Sequence, residues 1–167
     1  MKIVITGFMG SGKTRVARAL AQRLDLEMVD LDERITAREG RSPAELIVEE
    51  GETNFRSIES DVLRELVQTA NARVIALGGG AWIQKPNRDL LKEYDYLSVW
   101  LDAPFEVCWA RIESSGENRP LGKTKEQAQA LFDKRRHIYQ LADLRIQISS
   151  EDFEDLISRV TRCLEAN

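Results

Sequence analysis

The chain has 167 residues, of which 43% are hydrophobic and 31% are charged, and its formal net charge is −4. These values predict one soluble domain, residues 1–167, with a core of its own. They argue against nucleic acid as the main partner, because a basic surface is needed to meet phosphate backbones. No apolar run is long enough to cross a bilayer, and early glycines interrupt the first apolar stretch before a secretion-signal core could form. We therefore expect no membrane partner and a cytoplasmic location.

Short apolar strands alternate with longer amphipathic helices along the whole chain. The predicted strands are residues 2–6, 27–30, 73–77, 96–101 and 144–148. The predicted helices are residues 13–24, 31–39, 43–49, 54–68, 86–92, 104–113, 125–141 and 152–164. This alternation predicts an α/β fold with a parallel sheet that is covered by helices on both faces. Residues 114–124 are polar and rich in glycine and serine, and we expect them to form a lid between two helices.

The first predicted strand leads into GFMGSGKT at residues 7–14, which matches the phosphate-binding loop G-x-x-x-x-G-K-[ST] at every fixed position. Backbone N–H groups of such a loop point at phosphate oxygens, and the following helix adds the positive end of its dipole. Lys13 would reach the outer phosphates, and the Thr14 hydroxyl would bind magnesium. A glycine-rich turn without a ligand is the alternative. Because strand, loop, Lys-Thr and helix occur together, the pattern strongly favours nucleotide binding.

Two carboxylates follow at the end of the second predicted strand. Ligands of open parallel sheets gather at the carboxyl ends of strands. Asp30 could hold magnesium through water, because this ion keeps several waters. Asp32 could accept hydrogen bonds from substrate hydroxyls and take the proton from an attacking hydroxyl. An N-cap role for Asp32 in the helix that begins near Glu33 explains the residue equally well.

Two arginines on different predicted helices could anchor an anionic acceptor, since a guanidinium grips a carboxylate with two parallel hydrogen bonds. Arg56 falls early in the helix of residues 54–68. Without further context, a surface pair with Glu52 or Glu59 is the simpler interpretation. Arg135 lies on the helix after the predicted lid. It is equally consistent with a solvated basic run that includes Arg136.

Two loop segments could complete a site for the acceptor and the transferred group. Gly78, Gly79 and Gly80 directly follow the third predicted strand. Without side chains in the way, their backbone N–H groups could contact a small ligand closely, although a flexible turn is also possible. Arg119 lies in the predicted lid and could swing onto a phosphate during transfer.

Four other residues could bind a metal or take part in catalysis, but we expect them to have structural roles. Asp102 ends the fourth predicted strand, and we expect it to cap the next helix rather than to bind magnesium. His137, the single histidine, is expected on a solvated helix face. Cys108 and Cys163 lie among apolar neighbours and are expected to be buried free thiols. With one histidine, they cannot complete a four-ligand metal site.

Six motifs of the chain together resemble those of the shikimate kinase family, over nearly the whole length. The family carries a phosphate loop, Asp-x-Asp on the second strand, Gly-Glu-x-x-Phe-Arg-x-x-Glu, a triple glycine after the third strand, Arg-Pro-Leu in a lid, and an arginine four residues before a tyrosine. The chain has all six in this order, at residues 7–14, 30–32, 51–59, 78–80, 119–121 and 135–139.

The resemblance implies ATP-dependent phosphorylation of the 3-hydroxyl of shikimate, which gives shikimate 3-phosphate and ADP in aromatic amino-acid biosynthesis. It implies a P-loop NTPase fold like that of nucleoside monophosphate kinases. That fold has three α/β/α layers and a five-stranded parallel sheet in the order 2-3-1-4-5. The implied small-molecule partners are ATP and shikimate, with Mg²⁺ as cofactor, and residues 31–60 would form the shikimate-binding region. A monomer is the default expectation.

By matching position, the resemblance also implies a role for each candidate residue. The catalytic residues are Lys13, Asp32 and Arg119. The ATP-binding residues are Gly10, Ser11, Gly12, Lys13, Thr14, Arg15, Arg111 and Arg119. The shikimate-binding residues are Asp32, Arg56, Gly78, Gly79, Gly80 and Arg135, and the metal-binding residues are Thr14 and Asp30. Among these, Arg56 and Arg135 would clamp the shikimate carboxylate, and Arg111 would lie against adenine.

The chain departs from the family pattern at three places. Gly122 follows Arg-Pro-Leu where a second leucine is usual, and the lid is a few residues short. His137 stands where a proline is common, which leaves Arg136 as an alternative to Arg135. No proline of the adenine pocket has a clear match near residues 149–153.

The alternative functions are a gluconate-kinase-like small-molecule kinase and a non-catalytic nucleotide-binding relative.

Overall fold

The structure, a computed structural model, describes residues 1–69, 72–116, 120–148 and 153–166. The strands in these ranges are β1 (Ile3–Thr6), β2 (Met28–Asp30), β3 (Val74–Ala76), β4 (Leu97–Asp102) and β5 (Leu144–Gln147). The α-helices are α1 (Lys13–Leu24), α2 (Leu31–Glu39), α3 (Pro43–Glu50), α4 (Glu52–Thr69), α5 (Lys85–Glu93), α6 (Phe105–Ser115), α7 (Lys125–Tyr139) and α8 (Phe153–Glu165). A short 3₁₀ helix spans Ala81–Ile83.

The five strands form one parallel sheet in the order β2-β3-β1-β4-β5, which confirms the predicted topology. β1 is central, since Ile3 pairs in register with Val74 of β3 on one side and with Leu97 of β4 on the other. After β1, the chain crosses to β2 at one edge of the sheet. After β3, it crosses to β4, which lies on the other side of β1. These diverging connections open a crevice at the carboxyl ends of the neighbouring strands.

The sheet separates two apolar cores, because alternate residues of each strand face opposite sides. In β1, Ile3 and Ile5 pack with apolar residues of α1 and α8. Val4, between them, packs in the other core, which includes residues of α2, α4, α5, α6 and α7. Burial on both faces explains why β1 and β3, in the middle of the sheet, are almost entirely apolar, whereas the edge strand β5 is not.

The helices differ from prediction mainly at their ends. α4 begins at Glu52, immediately after Gly51, whose φ of 85° ends α3 without a longer loop. α7 ends at Tyr139 rather than at residue 141. Leu141 is 61% exposed, so extending the helix to this residue would bury no apolar surface.

The structure also tests the predictions for the two cysteines, the single histidine and membrane-spanning helices. Cys108 and Cys163 are free thiols, as predicted, but only Cys108 is buried, whereas Cys163 is half-buried. Burial raises the pKa of the Cys108 thiol to about 11, so it stays protonated at neutral pH. His137 is exposed, as predicted. Among the described residues, no helix combines the length and apolar character that a bilayer span requires.

Candidate active site

A single crevice of about 790 Å³ collects most of the residues that the sequence singled out. It is lined by segments that directly follow β1, β2 and β3, and by side chains from α4, α6 and α7. The assigned residues that line it are Gly10, Gly12, Lys13, Thr14, Arg15, Asp30, Asp32, Arg56, Gly78, Gly79, Gly80, Arg111 and Arg135. Ser11 is buried inside the phosphate loop. Arg119 lies outside the described residues, so its position stays a prediction.

The phosphate loop is shaped by contacts that tolerate no side chain at Gly10. This residue has a φ of 77°, and a Cβ would lie 2.5 Å from the carbonyl oxygen of Cys108. Two donors within the loop bond the carbonyl oxygen of Phe8, namely Lys13 Nζ at 2.9 Å and the Ser11 N–H at 3.2 Å. Gly12 is the N-cap of α1 and supplies no side-chain cap. The first turn of α1 therefore faces the crevice with its helix dipole, as an anion site requires.

Asp30 connects β2 to the phosphate loop and caps α2. Thr14 Oγ1 donates to Asp30 Oδ2 at 2.6 Å. Asp30 Oδ1 accepts from the N–H groups of Asp32 at 2.9 Å and Glu33 at 3.3 Å. Asp30 is thus the N-cap of α2, and the alternative that Asp32 caps this helix is wrong. The backbone turn leaves the Asp32 carboxylate on the wall of the crevice.

The Thr14–Asp30 pair fits a hard divalent cation, because it places a hydroxyl and a carboxylate oxygen together beside the phosphate loop. Within the described part of the chain, no three His, Cys, Asp or Glu side chains cluster as a metal cage. A cation that takes one or two protein ligands, with water and phosphate oxygens completing its shell, matches this donor set.

Two carboxylates meet beside Gly78. A Cβ at this position would lie 2.6 Å from Asp32 Oδ1 and 3.0 Å from Glu59 Oε1, so only glycine lets both oxygens approach the loop. Glu59 is fully buried. Its Oε2 accepts from Arg56 Nη1 at 2.7 Å, whereas its Oε1 has no hydrogen-bond partner among the residues that the structure describes. Burial raises the pKa of Glu59 to about 7, against the attraction of Arg56, and the Asp32 charge adds to the rise.

Arg56 pairs with both Glu52 and Glu59, as the interpretation of a surface ion pair predicts, but its side chain lies in the crevice. Besides Glu59, it contacts Glu52 Oε1 through Nε at 3.3 Å and through Nη2 at 3.2 Å. The side chain is only 12% exposed and lines the crevice. A Cβ at Gly80 would overlap its guanidinium, so the glycine makes this approach possible.

Arg135, and not Arg136, faces the crevice. The Arg135 side chain is 9% exposed, and its Nη1 donates to the carbonyl oxygen of Gly79 at 3.2 Å. Tyr139, one helical turn further on, donates its hydroxyl to the same carbonyl at 2.5 Å. Burial raises the pKa of Tyr139 to about 12, so the phenol remains a donor. The four-residue spacing between Arg135 and Tyr139 therefore lets both side chains donate to one carbonyl oxygen, that of Gly79.

Asp102 does not cap α6, and that expectation is wrong. Its carboxylate accepts from Arg145 Nη2 at 2.6 Å and from Arg136 Nη2 at 3.4 Å. Pro104 occupies the N-cap position and gives no side-chain hydrogen bond. The physical reason is the β4–β5 pairing, which sets Arg145 diagonally opposite Asp102. Arg136, which contacts this carboxylate, does not line the crevice.

Arg111 and Arg15 lie close to the phosphate loop. Arg111 Nη1 donates to the carbonyl oxygen of Gly10 at 3.0 Å. The Arg15 guanidinium stacks on the Phe153 ring, with 3.8 Å between its central carbon and the ring centroid. Phe153 was not singled out from the sequence, and only the structure shows its contact with Arg15.

Glu59, Glu52 and Gly122 also gain significance only from the structure. The two glutamates belong to the recognised motif at residues 51–59, but only the fold shows that one is buried and the other half-exposed. Gly122 is buried, and a Cβ there would lie 2.9 Å from Met9 Cε of the phosphate loop. A larger side chain at this position would require the Met9 side chain to move. The expected effect of Gly122 on lid closure stays a prediction.

The chain is similar to shikimate kinases in sequence. A family model described as "SKI: Shikimate kinase" matches residues 9–165. A shikimate kinase from Streptococcus thermophilus is 38% identical and covers 98% of this chain and 100% of its own length. A Thermotoga maritima relative, the "Bifunctional shikimate kinase/3-dehydroquinate synthase", is 41% identical over 83% of this chain. The chain spans only 27% of that longer protein.

The chain is also similar to solved structures. A "Shikimate kinase from Acinetobacter baumannii in complex with shikimate" gives a TM-score of 0.90 at 33% identity, and the match covers 99% of this chain and 93% of that one. A gluconokinase from Sinorhizobium meliloti gives a TM-score of 0.58 at 16% identity, with coverage of 98% and 95%, which is a likeness of fold alone. Since the family match extends over nearly the whole sequence and agrees with the observed fold, the chain belongs to the shikimate kinase family.

Proposed function

We propose that the chain transfers the γ-phosphoryl group of ATP to the 3-hydroxyl of shikimate, giving shikimate 3-phosphate and ADP for aromatic amino-acid biosynthesis. The observation that carries this proposal is the shared crevice, which is lined by a phosphate loop, the carboxylate of Asp32 and two largely buried arginines, Arg56 and Arg135. Family membership supports the choice of acceptor. The Acinetobacter baumannii relative was solved with shikimate bound.

On the nucleotide side, the residues of the loop and its flanks would hold the phosphates. Lys13 would move from the Phe8 carbonyl to the outer phosphates, and Arg111 would lie against adenine. ATP-dependent kinases work with a divalent ion, and we assign Mg²⁺ to Thr14 and Asp30, directly or through water. When bound, the ion neutralises charge on the β- and γ-phosphate oxygens.

On the acceptor side, shikimate is a small carboxylic acid that carries three hydroxyls. Arg56 and Arg135 are placed to grip its carboxylate, since both are largely buried and line the crevice. The backbone of residues 78–80 would contact the ring substituents. Helices α2 and α3 and the first turns of α4 flank this part of the crevice, which supports residues 31–60 as the acceptor-binding region.

In the reaction, the 3-hydroxyl oxygen would form a bond to the γ-phosphorus while the bond from this phosphorus to the leaving ADP oxygen breaks. Asp32 would take the hydroxyl proton and later release it to water. A positioned base of this kind contributes about 10²–10⁴-fold. Alignment of two bound reactants can lower the barrier by roughly 7–11 kcal/mol. Most of the catalysis is thus a matter of placement and charge.

The lid completes the proposal. Pro120 and Leu121 line the crevice, so residues of the 114–124 segment adjoin the site. We assign to Arg119 the role of the lid arginine that neutralises charge on the transferred group, which in other kinases and NTPases contributes about 10³–10⁵-fold. Closure over the reactants would keep water from taking the phosphoryl group. A single domain, a monomer and a cytoplasmic location complete the expectations.

A coupled assay of ADP release tests the proposal. We expect turnover with shikimate and little with gluconate. Arg56→Ala should raise the KM for shikimate by about tenfold or more, because charge-assisted hydrogen bonds contribute about 1.5–3 kcal/mol, while ATP binding stays largely intact. Arg64→Ala is the matched control, since Arg64 lies on the same helix and pairs only at the surface with Asp61.

Two results would overturn this function. A preference for gluconate would favour the gluconate-kinase-like alternative. Tight ATP binding without shikimate-dependent ADP release would indicate a non-catalytic relative. An unchanged response to shikimate in Arg56→Ala would remove Arg56 from the acceptor site.

A further inference from the structure

Glu59 occupies an unusual position in the acceptor half of the crevice. Its side chain is 1% exposed, yet it carries an ionisable group whose Oε1 has no hydrogen-bond partner among the described residues. The other oxygen is bonded to Arg56, the residue that we assign to the acceptor carboxylate. Glu59 also lines the crevice, and through its bond to Arg56 it acts as a positioning residue for that arginine.

The charges around Glu59 come from three helices. Arg56 and Glu52 lie on α4, Asp32 on α2 and Arg135 on α7. Arg56 is the bonded counter-ion, and Arg135 also attracts the Glu59 carboxylate. Asp32 repels it from across Gly78, where oxygens of the two carboxylates lie within 3.0 Å of one point. Before an acceptor binds, two cations thus face three carboxylates.

A bound acceptor adds a fourth carboxylate to the same two arginines. The guanidinium of Arg56 would then be shared between the acceptor and Glu59, and the charge balance around Glu59 becomes more negative. Glu52 can accommodate this change, because its side chain is 48% exposed and water screens it. Glu59 has no such access to water, and an undercompensated buried carboxylate is costly. Taking up a proton is the least costly response.

We propose that acceptor binding is coupled to proton uptake by Glu59. The neutral Glu59 no longer competes for the charge of Arg56, which then pairs with the acceptor carboxylate. The proton would reside on the buried carboxyl group and return to solvent when the product leaves. The inference rests on the proposed function, since it requires an acceptor carboxylate at Arg56. The reciprocal consequence is that affinity for the acceptor falls as the pH rises.

Isothermal titration calorimetry of the full chain tests the proposal without turnover. Shikimate is titrated at pH 7.5 in phosphate and in Tris, whose ionisation enthalpies differ, and the difference in observed heat gives the protons taken up. We expect up to roughly three-quarters of a proton per shikimate bound, because a carboxyl with a pKa of about 7 is mostly ionised at pH 7.5 before binding. The shikimate carboxyl, with an ordinary pKa of about 4, does not titrate in this range.

Two variants test whether Glu59 is the group that takes up the proton. Glu59→Gln should abolish proton uptake and flatten the pH dependence of shikimate affinity between pH 7 and 9. Asp61→Asn removes the same charge from an exposed position of α4 and should leave proton uptake unchanged. Nucleotide binding and the melting temperature report whether Glu59→Gln is folded, and the wild-type buffer comparison does not depend on any variant.

The outcomes separate the two proposals. Absence of any shikimate heat, with ATP bound or not, would contradict the proposed function. Shikimate binding with equal heats after correction, and no proton uptake, would overturn the role of Glu59 while the function stands. Proton uptake that persists in Glu59→Gln would assign the proton to another group and overturn it equally.

Discussion

At the scale of single residues, two adjacent arginines have different surroundings. Arg135 is buried against the Gly79 carbonyl on the crevice wall, whereas Arg136 is half-exposed and shares Asp102 with Arg145. The sequence alone left both open, because the rotation of α7 relative to the sheet decides which one points inward. Tyr139, one turn away and bonded to the same carbonyl as Arg135, explains the outcome.

We predict that Arg135→Ala raises the KM for shikimate by about tenfold or more, since it removes a charge-assisted contact to the carboxylate. Arg136→Ala should change this KM less than about twofold, because Arg145 still neutralises Asp102. Steady-state kinetics with shikimate varied at saturating ATP provide the measurement. Equal effects of the two substitutions would show that the crevice does not bind the acceptor through Arg135.

At the scale of structural elements, the triple glycine after β3 acts as a template for four side chains that line the crevice. Gly78 adjoins Asp32 and Glu59, the Gly79 carbonyl accepts from Arg135, and Gly80 adjoins Arg56. These side chains come from three helices, α2, α4 and α7. The segment therefore fixes their relative positions with its backbone.

This template predicts different effects of the same substitution at neighbouring positions. In Gly80→Ala the new methyl group would overlap the Arg56 guanidinium, so we expect the KM for shikimate to rise by about tenfold, at a packing cost of roughly 1–3 kcal/mol. In Gly79→Ala the nearest neighbour of the methyl group is Met9 N at 3.4 Å, an ordinary contact. Its effect should be several-fold smaller. A reversed order of the two KM values would contradict the template.

At the scale of the whole molecule, stability depends on pH through the same buried carboxyl. The folded-state pKa of Glu59 is raised from 4.5 to about 7 by burial. Between these values the folded state holds the proton and the unfolded state does not, so this group makes the free energy of unfolding fall as the pH rises. Above pH 7 the contribution is fully lost.

We predict that Glu59→Gln gains stability relative to wild type by about 3 kcal/mol between pH 4.5 and 7.5, the free energy equivalent of the raised pKa. Urea unfolding at several pH values gives both curves. Glu45 and Glu126, whose pKa values are lowered by backbone hydrogen bonds, titrate in both proteins and cancel in the difference. Parallel curves would show that Glu59 is ionised in the folded state throughout.

The sequence predicted the molecule well where the signal is local or periodic. Alternating apolar strands and amphipathic helices gave all five strands, and the phosphate loop follows from its own glycines. Contacts between distant segments were not predictable in this way. Asp102 meets Arg145 only because β4 and β5 pair, and the burial of Glu59 depends on α2, α4 and α7 closing around Gly78. Nothing in the spacing of these residues encodes such proximity.

Helix α6 provides a physical link between the nucleotide loop and the lid. Its Cys108 carbonyl lies against Gly10, its Arg111 donates to the carbonyl oxygen of that same glycine, and its last residue, Ser115, lies within the predicted lid segment, residues 114–124. Because one helix contacts the loop near its middle and leads into the predicted lid segment at its end, a substitution that displaces α6 should disturb both regions together.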